Sequence, residues 1–128
     1  MFRIRAALIA FFCLFSASAA GAGDMTYNAE ITVDVTAENA SVAREKAMTE
    51  ANRQAYTAVA KRVTTADGVR RLNELNDAQI LNFIKEVSII SEKASNVRYI
   101  ATLNVAVNEH ILKTYMQEND IPFVIGSV

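Results

Sequence analysis

The stretch that decides the fold is residues 41–62, "SVAREKAMTEANRQAYTAVAKR". On a helical wheel Ala40, Ala43, Ala47, Ala51, Ala55 and Ala58 share one face, Met48 and Val59 flank it, and Lys46, Thr49, Glu50, Arg53 and Thr57 lie opposite. Alanine is the strongest helix former, and a face of methyl groups lets a helix axis come close to whatever it covers. The stretch therefore reads as a helix pressed onto a sheet, which the rest of the chain must supply.

Immediately upstream, "YNAEITVDVTAEN" alternates Ala29, Ile31, Val33 and Val35 with Glu30, Thr32, Asp34 and Thr36, the pattern of a strand with one wet face. Either Asn39 or Ser41 is placed to cap the helix that follows. Downstream, Asp67-Gly68 reads as a turn. "NDAQILNFIKEV" predicts a second helix capped by Asn76, with Gln79 completing a capping box and Ile80, Leu81, Phe83, Ile84 and Val87 as its apolar set. Two β segments follow, at Ser88–Lys93 and Val97–Val107, joined as a hairpin by "ASN". A third helix is predicted after Asn108, with Ile111, Leu112, Tyr115 and Met116 on its apolar side. The closing "IPFVIGSV" reads as an extended segment that Pro122 confines to a sheet edge. The expected class is α+β, a mainly antiparallel sheet with helices on one face, in the order β-α-α-β-β-α-β.

The first residues read as a secretory leader and not as fold. Arg3 and Arg5 supply the positive start, Ala6–Phe15 the apolar run, and "SASAAGAG" the small residues for cleavage, with Ala17/Ala19 or Ala20/Ala22 in the Ala-x-Ala positions. The apolar run is shorter than the roughly 20 residues a membrane-spanning helix needs. Residues 1–22 are thus assigned to a signal peptide and 23–128 to a single α+β domain, periplasmic or secreted, touching membrane only through the leader before its removal. The only cysteine, Cys13, leaves with the leader, so no disulfide, thiolate metal site or cysteine nucleophile is expected. Loss of Arg3 and Arg5 takes the formal charge from −1 to −3, which offers no attractive field to nucleic acid.

With those elements placed, the strand "ITVDV", the segment "AREKAMTEANRQAYTAVAKRVT" (Ala43–Thr64) and the segment "YIATLNVAVNEHILKTYMQENDIPFV" (Tyr99–Val124) resemble the DUF2066 family of bacterial envelope proteins. They are also similar in outline to the amino-terminal domain of a flagellar assembly protein of the outer-membrane ring. The resemblance carries no catalytic residues and implies a periplasmic structural or assembly role.

Candidate chemistry is sparse. His110 is the only histidine and falls in the first turn of the third helix, without the second histidine or thiolate that a metal site or an activated base needs. Glu86, Glu92, Glu109, Glu118 and Asp120 are dispersed, Ser88 and Ser91 lack a nucleophile elbow, and no Gly-rich phosphate loop occurs. Arg44 falls inside the alanine arc, so it either pairs with Asp34 or Glu38 or lays its stem over apolar surface. Lys61, Arg62, Arg70 and Arg71 form a candidate anion contact, although cations at a helix C-terminus are also favoured by the backbone dipole alone. Ile121, Phe123, Val124 and Ile125 form a candidate interaction edge, or else a plain strand finishing the core. The expected function is non-enzymatic, without catalytic residues, cofactor or metal. The chain then serves as a module that binds another envelope protein or itself, the alternative being a small-ligand carrier with its ligand between the second helix and the sheet.

Overall fold

The computed structural model describes residues 25–124; the leader and Ile125 lie outside the described residues. Strand β1 (Asn28–Thr36) leads into the long helix α1 (Ala40–Val63), and two short helices follow, α2 (Ala66–Leu72) and α3 (Asp77–Leu81). Strands β2 (Ile84–Ala94) and β3 (Arg98–Val107) form a hairpin, and α4 (Glu109–Glu118) comes last. The sheet is three-stranded in the order β1-β3-β2, with both pairings antiparallel. The α+β class and the antiparallel sheet match expectation, while the order among the described residues, β-α-α-α-β-β-α, adds one short helix before the hairpin and has no closing strand.

Local chemistry sets the boundaries. Asn39 caps α1 by accepting from the Val42 amide at 2.9 Å, and Asn108 does the same for α4 through Ile111 at 3.0 Å. Asn76 and Gln79 form the expected reciprocal box at α3, at 2.8 and 2.9 Å. The helix it opens is short, however. It stops at Leu81, and Ile84–Val87 belongs to β2 instead, because Ile84, Glu86 and Val87 continue the ladder against Val107, Ala106 and Val105 of β3, with Lys85 at a register shift.

The expected turn at Asp67-Gly68 is likewise replaced by a helix. Thr65 caps α2 by accepting from the Gly68 amide at 3.1 Å, Asp67 sits in its first turn, and Arg70 and Arg71 sit in its last, the arrangement the helix dipole favours. Gly68 is required there by space: a Cβ would lie 2.1 Å from Thr64 Oγ1, the hydroxyl that donates to Pro122 O at 2.6 Å.

The core has two parts. In the first, Ala43, Ala47, Ala51 and Ala55 of α1 pack on Ala29, Ile31 and Val33 of β1 and on Tyr99, Ala101, Leu103 and Val105 of β3. Every one of these alanines is fully buried, so the methyl face is the sheet contact it was expected to be. In the second, Tyr56, Val59, Ala60 and Val63 from the later turns of α1 meet Leu72, Ile80, Phe83, Val107, Leu112, Met116 and Ile121. The Phe83 ring lies 5.4 Å from that of Tyr56 and 5.5 Å, edge-on, from that of Tyr115. The buried Tyr56 hydroxyl donates to Leu72 O at 3.0 Å, fixing the end of α2 against α1.

Two outcomes test this packing. Ala51→Leu forces extra methylenes between α1 and β3 and is expected to destabilise the protein by about 1–3 kcal/mol in denaturant titration; a neutral result rejects the close helix–sheet contact. Burial holds the Tyr56 and Tyr99 hydroxyls above the ordinary tyrosine range. Such raised groups stabilise the fold fully below their unfolded value, near pH 10, and that stability is lost as the pH rises beyond it, because only the unfolded chain then releases the protons. Phenolate absorbance should accordingly show part of the ionisation of the four tyrosines coinciding with loss of circular dichroism; complete ionisation of a still-folded chain contradicts the burial.

Candidate interaction surface

The width of α1 leaves one strand without a cover. Along β3 the residues alternate strictly between buried and partly exposed, and β1 buries Ala29, Ile31 and Val33, whereas none of the 11 residues of β2 is buried and only Ile84 is partly so. Cross-strand partners share a face of the sheet. Pairing with Val105, Leu103 and Ala101 therefore puts Val87, Ile89 and Glu92 on the helix side, and pairing with Ala106, Asn104, Thr102 and Ile100 puts Glu86, Ser88, Ser91 and Lys93 on the open side. Ile90 is the extra residue of a bulge between Ile89 and Ser91, which switches the phase so that even-numbered positions face the helix beyond it. The result is an edge strand with large apolar side chains in water: Val87 is 37 % exposed, Ile89 40 % and Ile90 57 %, with Leu81 at the end of α3 55 % exposed.

A polar cluster closes one end of this surface. Arg44 of α1 reaches Glu92 of β2 at 3.7 Å and lies over the Tyr99 ring, 5.6 Å from its centroid. The Tyr99 hydroxyl also donates a hydrogen bond to the Glu92 carboxylate. Burial first, and this bond second, keep Tyr99 protonated above its ordinary range. Of the two readings of Arg44, pairing with Asp34 or Glu38 is not found among the described residues, and its place over the Tyr99 ring agrees with a stem laid on apolar surface. Asp34 lies on the open face of β1 and takes Arg98 through two bonds of 2.8 and 2.6 Å, which hold its carboxyl below the usual carboxylate range. Beyond the cluster, a cleft of about 380 Å³ runs beside α1, lined by Met48, Thr49, Asn52, Asp77, Ile80 and Leu81. Among the described residues the buried Asn52 Oδ1 atom has no hydrogen-bond partner.

The residues singled out in the sequence sit elsewhere. Ile121 is buried in the second core, its amide bonded to Met116 O at 2.9 Å after Asp120 turns the chain at φ 55°. Phe123 and Val124 are exposed; Lys113 lies 4.8 Å over the Phe123 ring, and the Val124 amide donates to Val63 O at 2.6 Å. Up to Val124 the closing segment is extended chain tied to the end of α1, not a paired strand of the sheet, since Pro122 has no amide to give a ladder.

Of the basic residues, Arg62 donates to the carbonyls of Met25, Thr26 and Asn28 at 3.1, 2.9 and 2.6 Å, and Arg71 to those of Asn119 and Asp120 at 2.7 and 3.3 Å. Arg70 pairs with Asp67 at 2.6 Å and Glu74 at 2.8 Å, while Lys61 is exposed. These partners occupy donors that a bound anion would otherwise use. His110 is exposed on α4.

The alternative carrier reading placed its ligand between α3 and the sheet, and the buried side chains of Ile80 and Phe83 lie there. Among the described residues no group of three or more His, Cys, Asp or Glu is gathered to hold a metal ion, and no helix is long and apolar enough to cross a membrane. No family model, curated protein or solved structure matches the chain.

Sequence reasoning missed Val87, Ile89 and Ile90 as a surface. The available signal was the run "VSII", three large apolar residues in four, between Lys85-Glu86 and Glu92-Lys93.

The polar cluster makes a ranked prediction. Glu92→Ala strands the Tyr99 hydroxyl and is expected to cost about 1–3 kcal/mol, whereas Arg44→Ala, removing a half-exposed partner, costs about 0–1 kcal/mol. Equal costs in thermal melts reject the assignment of Tyr99 as the group that needs Glu92.

Proposed function

We propose that the chain is a non-enzymatic module of the bacterial envelope, exported by its leader, that works by binding another protein or a second copy of itself. The observation that carries this reading is the uncovered strand β2, whose apolar side chains stand in water beside a backbone edge that no strand among the described residues pairs. The leader pattern of residues 1–22 and the resemblance to bacterial envelope proteins support the location. Binding through β2 replaces the closing segment near Phe123 as the centre of the proposal. Ile121 is committed to the core and Val124 to the end of α1.

The test is photo-cross-linking in cells from a probe at position 90, with position 50 on the polar face of α1 as the control. The chain is expected to lose a leader-sized mass on export and to give a discrete adduct from position 90 alone. A chain that keeps its leader in the cytoplasm, or adducts equal at both positions, counts decisively against the reading.

A further inference from the structure

Resting on that reading, we propose that the partner of β2 is the β2 strand of a second copy, joined antiparallel about a two-fold axis between Ile89 and Ile90, so that two three-stranded sheets become one of six strands.

Faces and charges together select this register. Antiparallel partners must point to the same side of the sheet. On β2 the helix side carries Val87, Ile89 and Glu92, and the open side carries Glu86, Ser88, Ser91 and Lys93. A dyad between Ile89 and Ile90 matches these sets. It places Glu86 opposite the other copy's Lys93, Val87 opposite the stem of Glu92, Ser88 opposite Ser91, and Ile89 opposite Ile90. Both copies carry the same bulge, so residues stay matched one to one across it. By symmetry the Glu86–Lys93 pair forms twice, once at each end of the apolar centre.

Moving the axis onto Ile89 sets Lys85 against Lys93 and Glu86 against Glu92, like charges throughout, and also opposes Val87 with Ser91 from the other face. That register is penalised on both counts. Among the described residues neither Glu86 nor Lys93 has an ion-pair partner within the chain, so each is free to take one from a neighbour.

Self-pairing also answers the exposure. Val87, Ile89 and Ile90 of the two copies meet around the axis on the strip of sheet that α1 does not reach. The strand β1 offers no equivalent edge, because its inward residues are already under α1 and its outward ones are Glu30, Thr32 and Asp34.

The test is the mass of the purified exported chain by light scattering, with charge reversals. Wild type is expected to run as a dimer. Glu86→Lys and Lys93→Glu should each weaken association by roughly tenfold or more, since each turns two attractions into two repulsions, and the double reversal should restore it. Ile89→Lys should give a folded monomer, with unchanged far-ultraviolet circular dichroism separating this from unfolding. A monomer at the highest soluble concentration overturns the inference, as does a dimer indifferent to Glu86→Lys. A monomer that Ile89→Lys destabilises overturns it too. If the chain is monomeric yet position 90 still yields one envelope protein, the self-pairing fails while the proposed function stands. If neither a dimer nor an adduct is found, both fall.

Discussion

The close approach of α1 to the sheet is the constraint on which the rest of the structure depends. Four buried alanines, one turn apart, leave so little side chain between helix and sheet that α1 lies directly on β1 and β3. Further along the same helix the inward residues become Tyr56, Val59 and Val63, and the second core fills with bulky groups from α2, α3, α4 and the chain end. Small residues at one end and large ones at the other divide a single helix into a sheet cover and a hub for short helices. Because one helix is narrow, it leaves most of a third strand uncovered, and the exposed β2 follows from the same geometry that stabilises β1 and β3.

Three arginines hold together what regular structure does not. Arg53 reaches Asn73 O and Leu75 O, Arg62 reaches the carbonyls leading into β1, and Arg71 reaches those that end α4. Each satisfies carbonyls that a helix end or a loop leaves unpaired, and the planar fork of donors allows several to be met at once. Arg53 adds Asp77 at 2.9 Å, so α1, the α2–α3 link and α3 share one guanidinium. Lysine, with a single rotating ammonium, offers no equivalent span. Two of these arginines, Arg62 and Arg71, are also residues that sequence position suggested for an anion.

Legibility in the sequence tracks burial. The alternations of β1 and β3 and the alanine stripe of α1 were readable because each element hides one face, and the periods of two and of 3.6 record that asymmetry. The caps at Asn39, Asn76 and Asn108 were readable because their chemistry is local. The short helix α2 was not, because Asp-Gly favours a turn in isolation and only the cap by Thr65 and the tight fit of Gly68 against Thr64 make it helical. The extent of β2 was hidden for the opposite reason to β3. With neither face buried there is no period to read, and Ile84 and Val87 extend the apolar pattern of α3 as readily as they begin a strand. The partner of Arg44 was hidden too, since Glu92 is distant in sequence and comes into range only through the bulge.

That bulge bears on how the edge of β2 is to be understood. Bulges and lysines are common means of keeping sheet edges from pairing, and β2 has both. Their positions argue for selection among partners and not for a general block. Lys85 and Lys93 stand toward the ends of the strand, each next to a glutamate, and the centre between them is Val87, Ser88, Ile89 and Ile90 with no charge. A protective lysine belongs in that centre, where it would be costly to bury. The bulge turns Glu92 toward α1, where Arg44 and Tyr99 hold it, and leaves Lys93 on the open face. An unrelated strand of uniform pitch cannot match both halves of such an edge, while a strand with the same irregularity can. The features that would exclude most strands thus favour a copy of the same one.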